Sequence, residues 1–306
     1  MTTGALPPQE LIGYRRSTAL PGIEVIDARD SPREWRVICP VHAVVVFRTW
    51  RGRVHSRGRL HSGAPGIAFC NTPGEAMVAK PEGGPGSFNV LELRSELLEE
   101  WLSEQHARPR RLDWAAVMRP ISHELGQKFR GFFEAFQPGV SALQLQSQVV
   151  DLSEIMIREL IAGSERPTLE GPPIRGTARM RECLNEEGLD IDLDTLASRV
   201  GLTRFQALRA FKRRYGLPPH AYQMCLRVTR AQRLLLEGVP AAEVAVRCGF
   251  VDQSHFIRHF KRLSGVTPMQ YARAHTAPSQ RSSGVFLAGS SVPEDPSSIV
   301  SRSDHR

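Results

Sequence analysis

The sequence of 306 residues lacks the features that mark membrane proteins, disulfide scaffolds and common enzymes. No run of 18 apolar residues occurs and no basic-then-apolar signal pattern opens the chain, so we expect a soluble, cytoplasmic protein without a membrane partner. The five cysteines have no CxxC spacing, which favours reduced, buried thiols over disulfides or a zinc site. No glycine-rich phosphate loop, nucleophile elbow or defensible metal-ligand set can be written, so neither catalysis nor a cofactor is expected.

One pattern is written twice between Leu196 and Tyr271. Eight residues recur 48 or 49 positions later, which identifies an internal repeat. The first copy contains Ala197, Gly201, Arg209, Phe211, Lys212, Gly216, Pro219 and Tyr222. The second copy contains Ala245, Gly249, Arg258, Phe260, Lys261, Gly265, Pro268 and Tyr271.

Each copy predicts a short helix, a turn at a glycine and a second helix. In the first copy, Asp192 and Thr203 are candidate N-caps and Gly201 ends the first helix. Gly249 and Asp252 have the corresponding places in the second copy. An apolar period of about 3.6 residues then turns one side of each second helix inward. The inward residues are Ala207, Phe211 and Tyr215, and Phe256, Phe260 and Leu263.

The outward side of each second helix is polar and carries arginine. This arrangement is typical of a helix-turn-helix unit, whose second helix enters a major groove of DNA. The candidate DNA-binding residues are Thr203, Arg204, Phe205, Gln206, Arg209, Arg213, Gln253, Ser254, His255, Arg258 and Arg262.

The positive charge of the chain is confined to the region of the repeat. Residues 174 to 275 contain 17 Lys and Arg against 9 Asp and Glu, whereas the rest of the chain contains 23 of each. A basic field on one domain favours neutralisation of DNA phosphates and release of their counterions. Together with two helix-turn-helix units, it outweighs the alternative of a merely solvated basic surface.

The two units and the helix between them resemble the AraC/XylS family of bacterial transcription regulators. The resemblance covers about residues 177 to 273 and implies a sequence-specific DNA-binding regulator whose two recognition helices bind successive major grooves. RNA polymerase is an expected partner of such a regulator. The residues that carry the resemblance are Ala197, Gly201, Phe211-Lys212, Gly216, the run from Gly249 to Phe256, Phe260-Lys261, Gly265 and Thr267-Pro268.

The first half of the chain predicts a small antiparallel barrel or sandwich. Six β-rich segments between Arg36 and Leu93 are separated by clusters of glycine and proline. In the resembled family a cupin-like barrel at this position binds an effector. The resemblance therefore implies an α+β multidomain chain, with a cupin-like sensor for an unidentified small molecule and an all-α DNA-binding domain.

Two alternatives stay open. His42, His55 and His61 lie among the β-rich segments, where a metal-dependent cupin enzyme would carry its ligands, but they do not form a His-x-His pair followed by Glu and a later His. Hydrogen-bonded or solvated histidines are therefore favoured over a metal site. The second alternative is an architectural DNA-binding protein without an effector, which a small preference for specific over random DNA would indicate.

Changes in composition divide the chain into five segments. The helices between Phe129 and Leu160 are expected to pair with their copy in a homodimer, to pack against the barrel, or to do both. The apolar helix from Pro219 to Glu237 is expected to be a stiff spacer between the repeat units. The segments are an N-terminal arm (1–20), a cupin-like domain (21–163), a linker (164–176), the DNA-binding domain (177–275) and a disordered tail (276–306).

Overall fold

Two antiparallel β-sheets and a series of helices form the part of the chain that the computed structural model describes, which is residues 10–105, 117–136, 140–162, 174, 176–186, 191–276 and 284–287. The strands are β1 (Leu11–Arg16), β2 (Ile23–Ser31), β3 (Trp35–Ile38), β4 (His42–Phe47), β5 (Gly52–Ser56), β6 (Arg59–Gly63), β7 (Ile67–Asn71), β8 (Ala76–Pro81), β9 (Gly86–Leu93), β10 (Val117–Pro120) and β11 (Gly284–Leu287). The larger sheet has seven strands in the order β10-β7-β4-β9-β2-β1-β11, and the smaller sheet has four in the order β3-β8-β5-β6.

The larger sheet buries apolar side chains on both of its faces. Because successive side chains of a strand point to opposite faces, Val44 and Val46 of β4 lie on one side and Val45 and Phe47 on the other. The outer face, with Val44, is covered by three helices in a single apolar cluster. These helices are α1 (Ser95–Gln105), α2 (His123–Ala135) and α3 (Ala142–Met156), and α3 continues into a π-helix at Ile157–Ala162.

The C-terminal part of the described chain is helical. One apolar cluster surrounds Phe211 and Tyr222, and another surrounds Phe256 and Phe260. The second cluster is continuous with the inner face of the sheets, so the sheets and the C-terminal helices share a core. The helices are α4 (Thr177–Glu186), α5 (Leu193–Ser198), α6 (Arg204–Tyr215), α7 (Pro219–Leu236), α8 (Ala241–Arg247), α9 (Gln253–Ser264) and α10 (Pro268–Thr276).

The N-terminal sheets and C-terminal helices confirm the predicted α+β organisation, but two early strands were missed. The expected arm contains β1, and β2 follows it in the same sheet. Their sequences hide the strands because buried charges interrupt the apolar alternation. Those charges are paired across the strands: Arg16 lies 2.7 Å from Glu24, and Arg15 lies 3.8 Å from Asp27.

The structure also departs from the expected tail. Gly284–Leu287 forms β11, which pairs with β1 in an antiparallel register, and Thr276 still belongs to α10. The remainder of the expected tail, the first nine residues and nearly all of the expected linker lie outside the described residues.

Candidate nucleic-acid interface and ligand cavity

The first repeat unit consists of α5 and α6, and side chains fix where each helix begins. Asp192 accepts a hydrogen bond from the Thr195 amide at 2.7 Å, which starts α5. Thr203 and Gln206 form a capping box at the start of α6, in which each side chain accepts from the other residue's backbone amide. Helix α6 ends at Gly216, whose φ of 76° is left-handed.

The second unit, α8 and α9, has the same plan. Asp252 accepts from the His255 amide at 2.7 Å and starts α9, and Gly265 ends it with a φ of 83°. Phe256 and Phe260 on the inward face of α9 are fully buried, and so are Ala207 and Phe211 on the inward face of α6. The inward faces of both units are therefore the predicted ones.

The candidate DNA-binding residues lie at the start and along the outer side of α6 and α9. Phe205 is 77% exposed, which is unusual for an aromatic side chain and leaves its ring free to meet another surface. His255 is half-buried, and its ring packs against Phe250 and His259. The exposed candidates are Thr203, Arg204, Phe205, Gln206, Arg209, Arg213, Gln253, Ser254, Arg258 and Arg262.

Four of these candidates have side-chain contacts within the domain, and one of them is Arg204, which lies 3.6 Å from the Asp194 carboxylate. The side chains of Thr203 and Gln206 are occupied by the capping box, so their first role is to hold the start of α6. Arg262 lies 2.9 Å from Nδ1 of His259 through its guanidinium. Arg209 and Arg258, the two equivalent arginines, are exposed at corresponding positions of α6 and α9.

Helix α7 joins the two units. It packs against helices of both units and also against β3 of the smaller sheet. Two of its polar side chains face the protein: Gln223 is buried, and Arg227 donates a hydrogen bond to the carbonyl oxygen of Gly249. Arg227 thus ties α7 to the glycine turn of the second unit.

A cavity of about 1970 Å³ lies between the inner faces of the sheets and helices α7 and α10. Residues of the sheets, such as Val45, Trp50 and Val90, line one part of it, and Val228 and Tyr271 line another. A ligand in this cavity would contact both the sheets and the C-terminal helices.

A polar cluster joins β1 and β2 to the end of the second unit beside this cavity. The Tyr14 hydroxyl donates to the Ser264 carbonyl oxygen at 2.7 Å. Nδ1 of His275 faces the Tyr271 carbonyl oxygen at 2.6 Å, and its Nε2 contacts the Glu24 carboxylate. Both ring nitrogens of His275 therefore lie against oxygen atoms, one of the backbone and one of the Glu24 carboxylate.

The Glu24 carboxylate is held in its charged form. Burial acts to raise its pKa, but the hydrogen bond and charge of His275, together with Arg16, bring the pKa below its ordinary value. The His275 side chain is 1% exposed, so the pair is sealed from solvent.

Sequence reasoning missed these contacts between the sheets and the helices. The two glycines that end α6 and α9 gave a partial signal, since both recur in the repeat. A Cβ atom on Gly216 would lie 2.5 Å from Nδ1 of His55, and one on Gly265 would lie 2.1 Å from Cδ1 of Ile12. Both glycines are therefore required by a close approach as well as by a left-handed turn.

The histidines of the metal-dependent alternative are dispersed. His55 lies beside Gly216 and His42 is buried at the start of β4. Within the described ranges, no group of three or more His, Cys, Asp or Glu residues is arranged to hold a metal ion. The helices in those ranges also include none with the length and apolar character needed to cross a membrane.

Comparison with known proteins places the repeat in a family. Residues 196–274 match the family model described as a helix-turn-helix domain. The HTH-type transcriptional regulator MtrA of Neisseria gonorrhoeae is 36% identical over 84 residues, which are 27% of this chain and 28% of MtrA. The HTH-type transcriptional regulator GbdR of Pseudomonas aeruginosa is 35% identical over 98 residues, which are 32% of this chain and 26% of GbdR.

The likeness to these relatives is local, since this chain spans 28% and 26% of their lengths. Among solved structures, apo ToxT from Vibrio cholerae overlays 85% of this chain and all of its own, with a TM-score of 0.47 and 9% identity. The match to the helix-turn-helix model and the two glycine-turned helix pairs agree on one segment of the molecule. Residues 196–274 of this chain are a helix-turn-helix domain of the AraC type.

Proposed function

We propose that this protein is a sequence-specific DNA-binding transcription regulator controlled by a small molecule. The observation that carries the proposal is the pair of equivalent, exposed arginines, Arg209 on α6 and Arg258 on α9, in a domain of helix-turn-helix type. Arginine on a recognition helix can fork onto guanine in a major groove. The relatives MtrA and GbdR are named as transcriptional regulators, which supports the proposal.

The length of α7 supports joint binding by both units. Its 18 residues at about 1.5 Å each give roughly 27 Å, close to the spacing of about 34 Å between successive major grooves on one face of DNA. The two recognition helices would then lie in adjacent grooves, with slight bending of the DNA to absorb the difference.

Footprinting of the full-length protein tests this arrangement. A DNA site is first selected from a random pool, and we expect two protected patches about one helical turn apart on one face. Inserting about five base pairs between the patches turns one of them away and should abolish joint protection. Protection that survives the insertion would contradict a rigid spacer, and failure to select any sequence would contradict specific binding.

The cavity beside α7 and α10 is the proposed effector site. We place the sensor in the two sheets, in a cupin-like arrangement, because their inner faces and the helices of the DNA-binding part enclose the same space. A ligand there would change the contacts that hold β1 to the second repeat unit. RNA polymerase is the proposed partner through which DNA binding alters transcription.

A homodimer through α3 is proposed from two exposed apolar residues. Leu143 is 74% exposed and Val150 is 63% exposed, and their spacing of seven positions places both on one side of the helix. Phe129 and Leu152 of the same helical region are buried against the sheet, so both expected roles of these helices fit. Replacing Leu143 and Val150 together by glutamate should give a monomer in sedimentation; an unchanged mass would contradict this interface.

Two alternatives remain, an architectural DNA-binding protein without an effector and a metal-dependent cupin enzyme. Regulators among the relatives favour a protein that is not an enzyme. Metal analysis of the purified full-length protein is the direct test, since stoichiometric iron, manganese or zinc would favour the enzyme.

A further inference from the structure

The inner face of the larger sheet is apolar except for one row of residues at its end. Register places Arg16 opposite Glu24, and Glu24 opposite Glu92. Glu92 is in turn opposite Ala43, and Ala43 is opposite Asn71. The row therefore runs across five neighbouring strands and forms one wall of the cavity.

The two carboxylates in this row differ in their partners. Glu24 is paired with Arg16 and with His275. Glu92 has no hydrogen-bond or ion-pair partner among the residues that the structure describes, although it lines the cavity. Burial, and then the negative charge of Glu24, raise the pKa of Glu92 to about 8, while Arg16 acts to lower it. Glu92 is thus an acceptor without a cation.

A second polar group on the same wall also lacks a partner. Asn71 is fully buried, and its Nδ2 donates to Sγ of Cys39 at 3.1 Å. Its Oδ1 has no hydrogen-bond partner within the described residues. Unsatisfied buried amides are costly, so this oxygen indicates a missing donor. Ala43, the residue between Glu92 and Asn71 in the row, has a small side chain and leaves space above the sheet.

The rest of the cavity is apolar along the strands. Val45 and Val90 lie in the next row, followed by Phe47 and Phe88, with Trp50 beyond. From Ala43 to Phe47 the strand rises about 13 Å, at about 3.3 Å per residue. This length suits a molecule with one polar end and an apolar body.

Three arginines of the lining are already paired with carboxylates. Arg36 is paired with Glu34 at 2.6 Å, and Arg233 is paired with Glu237 at 3.6 Å. Arg16 is already committed to Glu24 at 2.7 Å. Of the two carboxyl groups in the row, Glu24 is thus already paired, and Glu92 is the one open to a ligand.

We propose that the cavity binds a small amine. The ammonium group at its polar end pairs with Glu92 and lies toward the side-chain amide of Asn71. Its apolar body lies along the inner face of the sheet. This inference rests on the proposed control by a small molecule and names the chemical class of that molecule. The ammonium supplies the positive charge and the hydrogen-bond donors that Glu92 lacks.

The charged and titratable groups around Glu92 set the pH dependence of this binding. They are Arg16 and Tyr14 on β1, Glu24 on β2, Cys39 before β4, and Tyr271 and His275 on α10. Because neutral Glu92 must lose its proton to pair with an ammonium, amine affinity should rise from pH 6 to about 8 and then level off.

Calorimetric titration of the full-length protein with three matched probes tests the proposal. The probes are phenylbutylamine, the neutral phenylbutanol and the anionic phenylbutanoate. We expect the amine to bind at least about tenfold more tightly than the other two, since a charge-assisted hydrogen bond is worth that much. At pH 7 its binding should release protons, which makes the measured enthalpy depend on the buffer.

Two variants assign the effect to one carboxylate. Glu92→Gln should weaken amine binding at least about tenfold, abolish the proton release and leave phenylbutanol binding unchanged. Glu82→Gln, which removes an exposed carboxylate on the loop after β8, should behave as the unsubstituted protein. Unchanged amine binding by Glu92→Gln, tighter binding of the carboxylate, or no binding of any probe would overturn the proposal.

DNA binding separates this inference from the proposed function. If the protein selects a DNA site but prefers the anionic probe, the ligand class is wrong and the regulator remains. If it selects no DNA site while Glu92 still governs amine binding, the proposed function fails and the amine site remains.

Discussion

The two repeat units are alike within the DNA-binding domain but differ in what they touch outside it. Gly216, at the end of α6, lies against His55 and Val78 of the smaller sheet. Gly265, at the equivalent place on α9, lies against Ile12 of the larger sheet and Trp35 of the smaller one. The duplicated sequence conserves the helix end, and the sheets give each copy a different neighbour. Helices α6 and α9 are therefore held to the sheets by separate contacts that can be broken separately.

Substitution of the two glycines is expected to have the largest effect on stability. Gly216→Ala and Gly265→Ala should each lower the free energy of unfolding by about 2 to 4 kcal/mol, because a left-handed backbone and a close contact are both disturbed. Gly201→Ala is the matched control, since its φ is 63° but its Cβ would meet nothing within 4 Å. Thermal unfolding measures all three.

A second substitution distinguishes the two contacts. Ile12→Ala removes the atom that a Cβ on Gly265 would meet at 2.1 Å. The stability that this substitution costs should therefore be smaller in the Gly265→Ala protein than in the unsubstituted protein, and unchanged in the Gly216→Ala protein. Equal losses in all three glycine variants would show that only the backbone conformation matters.

Substitution of the outward-facing arginines tests how each unit binds DNA. Arg209→Ala and Arg258→Ala should each remove about 1 to 3 kcal/mol of discrimination at a different base position, because each arginine would read its own groove. Binding to a panel of single-base variants of the selected site measures this. Uniform weakening across the panel would instead assign both arginines to phosphate contacts.

The N-caps compare the starts of the two recognition helices. Thr203→Ala and Asp252→Ala should each cost about 1 kcal/mol of stability, as loss of a cap does. Gln206→Ala should weaken only the first unit, since Gln206 belongs to the capping box there. Local hydrogen exchange at the start of α6 and α9 reports each effect. Faster exchange in α9 on changing Gln206 would contradict the separation of the units.

Acid should loosen the attachment of the two units to the sheets in different pH ranges, through His55 beside Gly216 and through Glu24 beside His275, with the smallest of the expected effects. Burial lowers the pKa of His55, so its contribution is present above the unfolded value of about 6.5 and is lost as pH falls below it. Because the pKa of Glu24 is lowered, the stability that Glu24 contributes is lost only as the pH falls below about 4.5. His55→Gln should flatten the stability curve in the first range and Glu24→Gln in the second. A common range for both would contradict separate contacts.

The helices of the repeat could be predicted from the sequence, but their contacts with the sheets could not. The periods around Phe211 and Phe260, and the caps Thr203 and Asp252, are local signals, so the units could be predicted. The pairing of Tyr14 with Ser264 joins residues far apart in sequence, and neither residue type marks such a contact on its own. The position of Glu92 could not be predicted from the sequence either, because only the strand register shows that it lies opposite Glu24.

The strand β11, which follows the C-terminal helices in the chain, is an edge strand of the larger sheet and pairs with β1. The segment from α4 to α10 thus both follows and precedes strands of the larger sheet in the chain. A segment attached at both ends that leaves its docking surface stays at a high local concentration and returns by an intramolecular step. A ligand that loosens the contacts of β1 would then change how long the recognition helices stay undocked, with no need to separate the two parts of the protein.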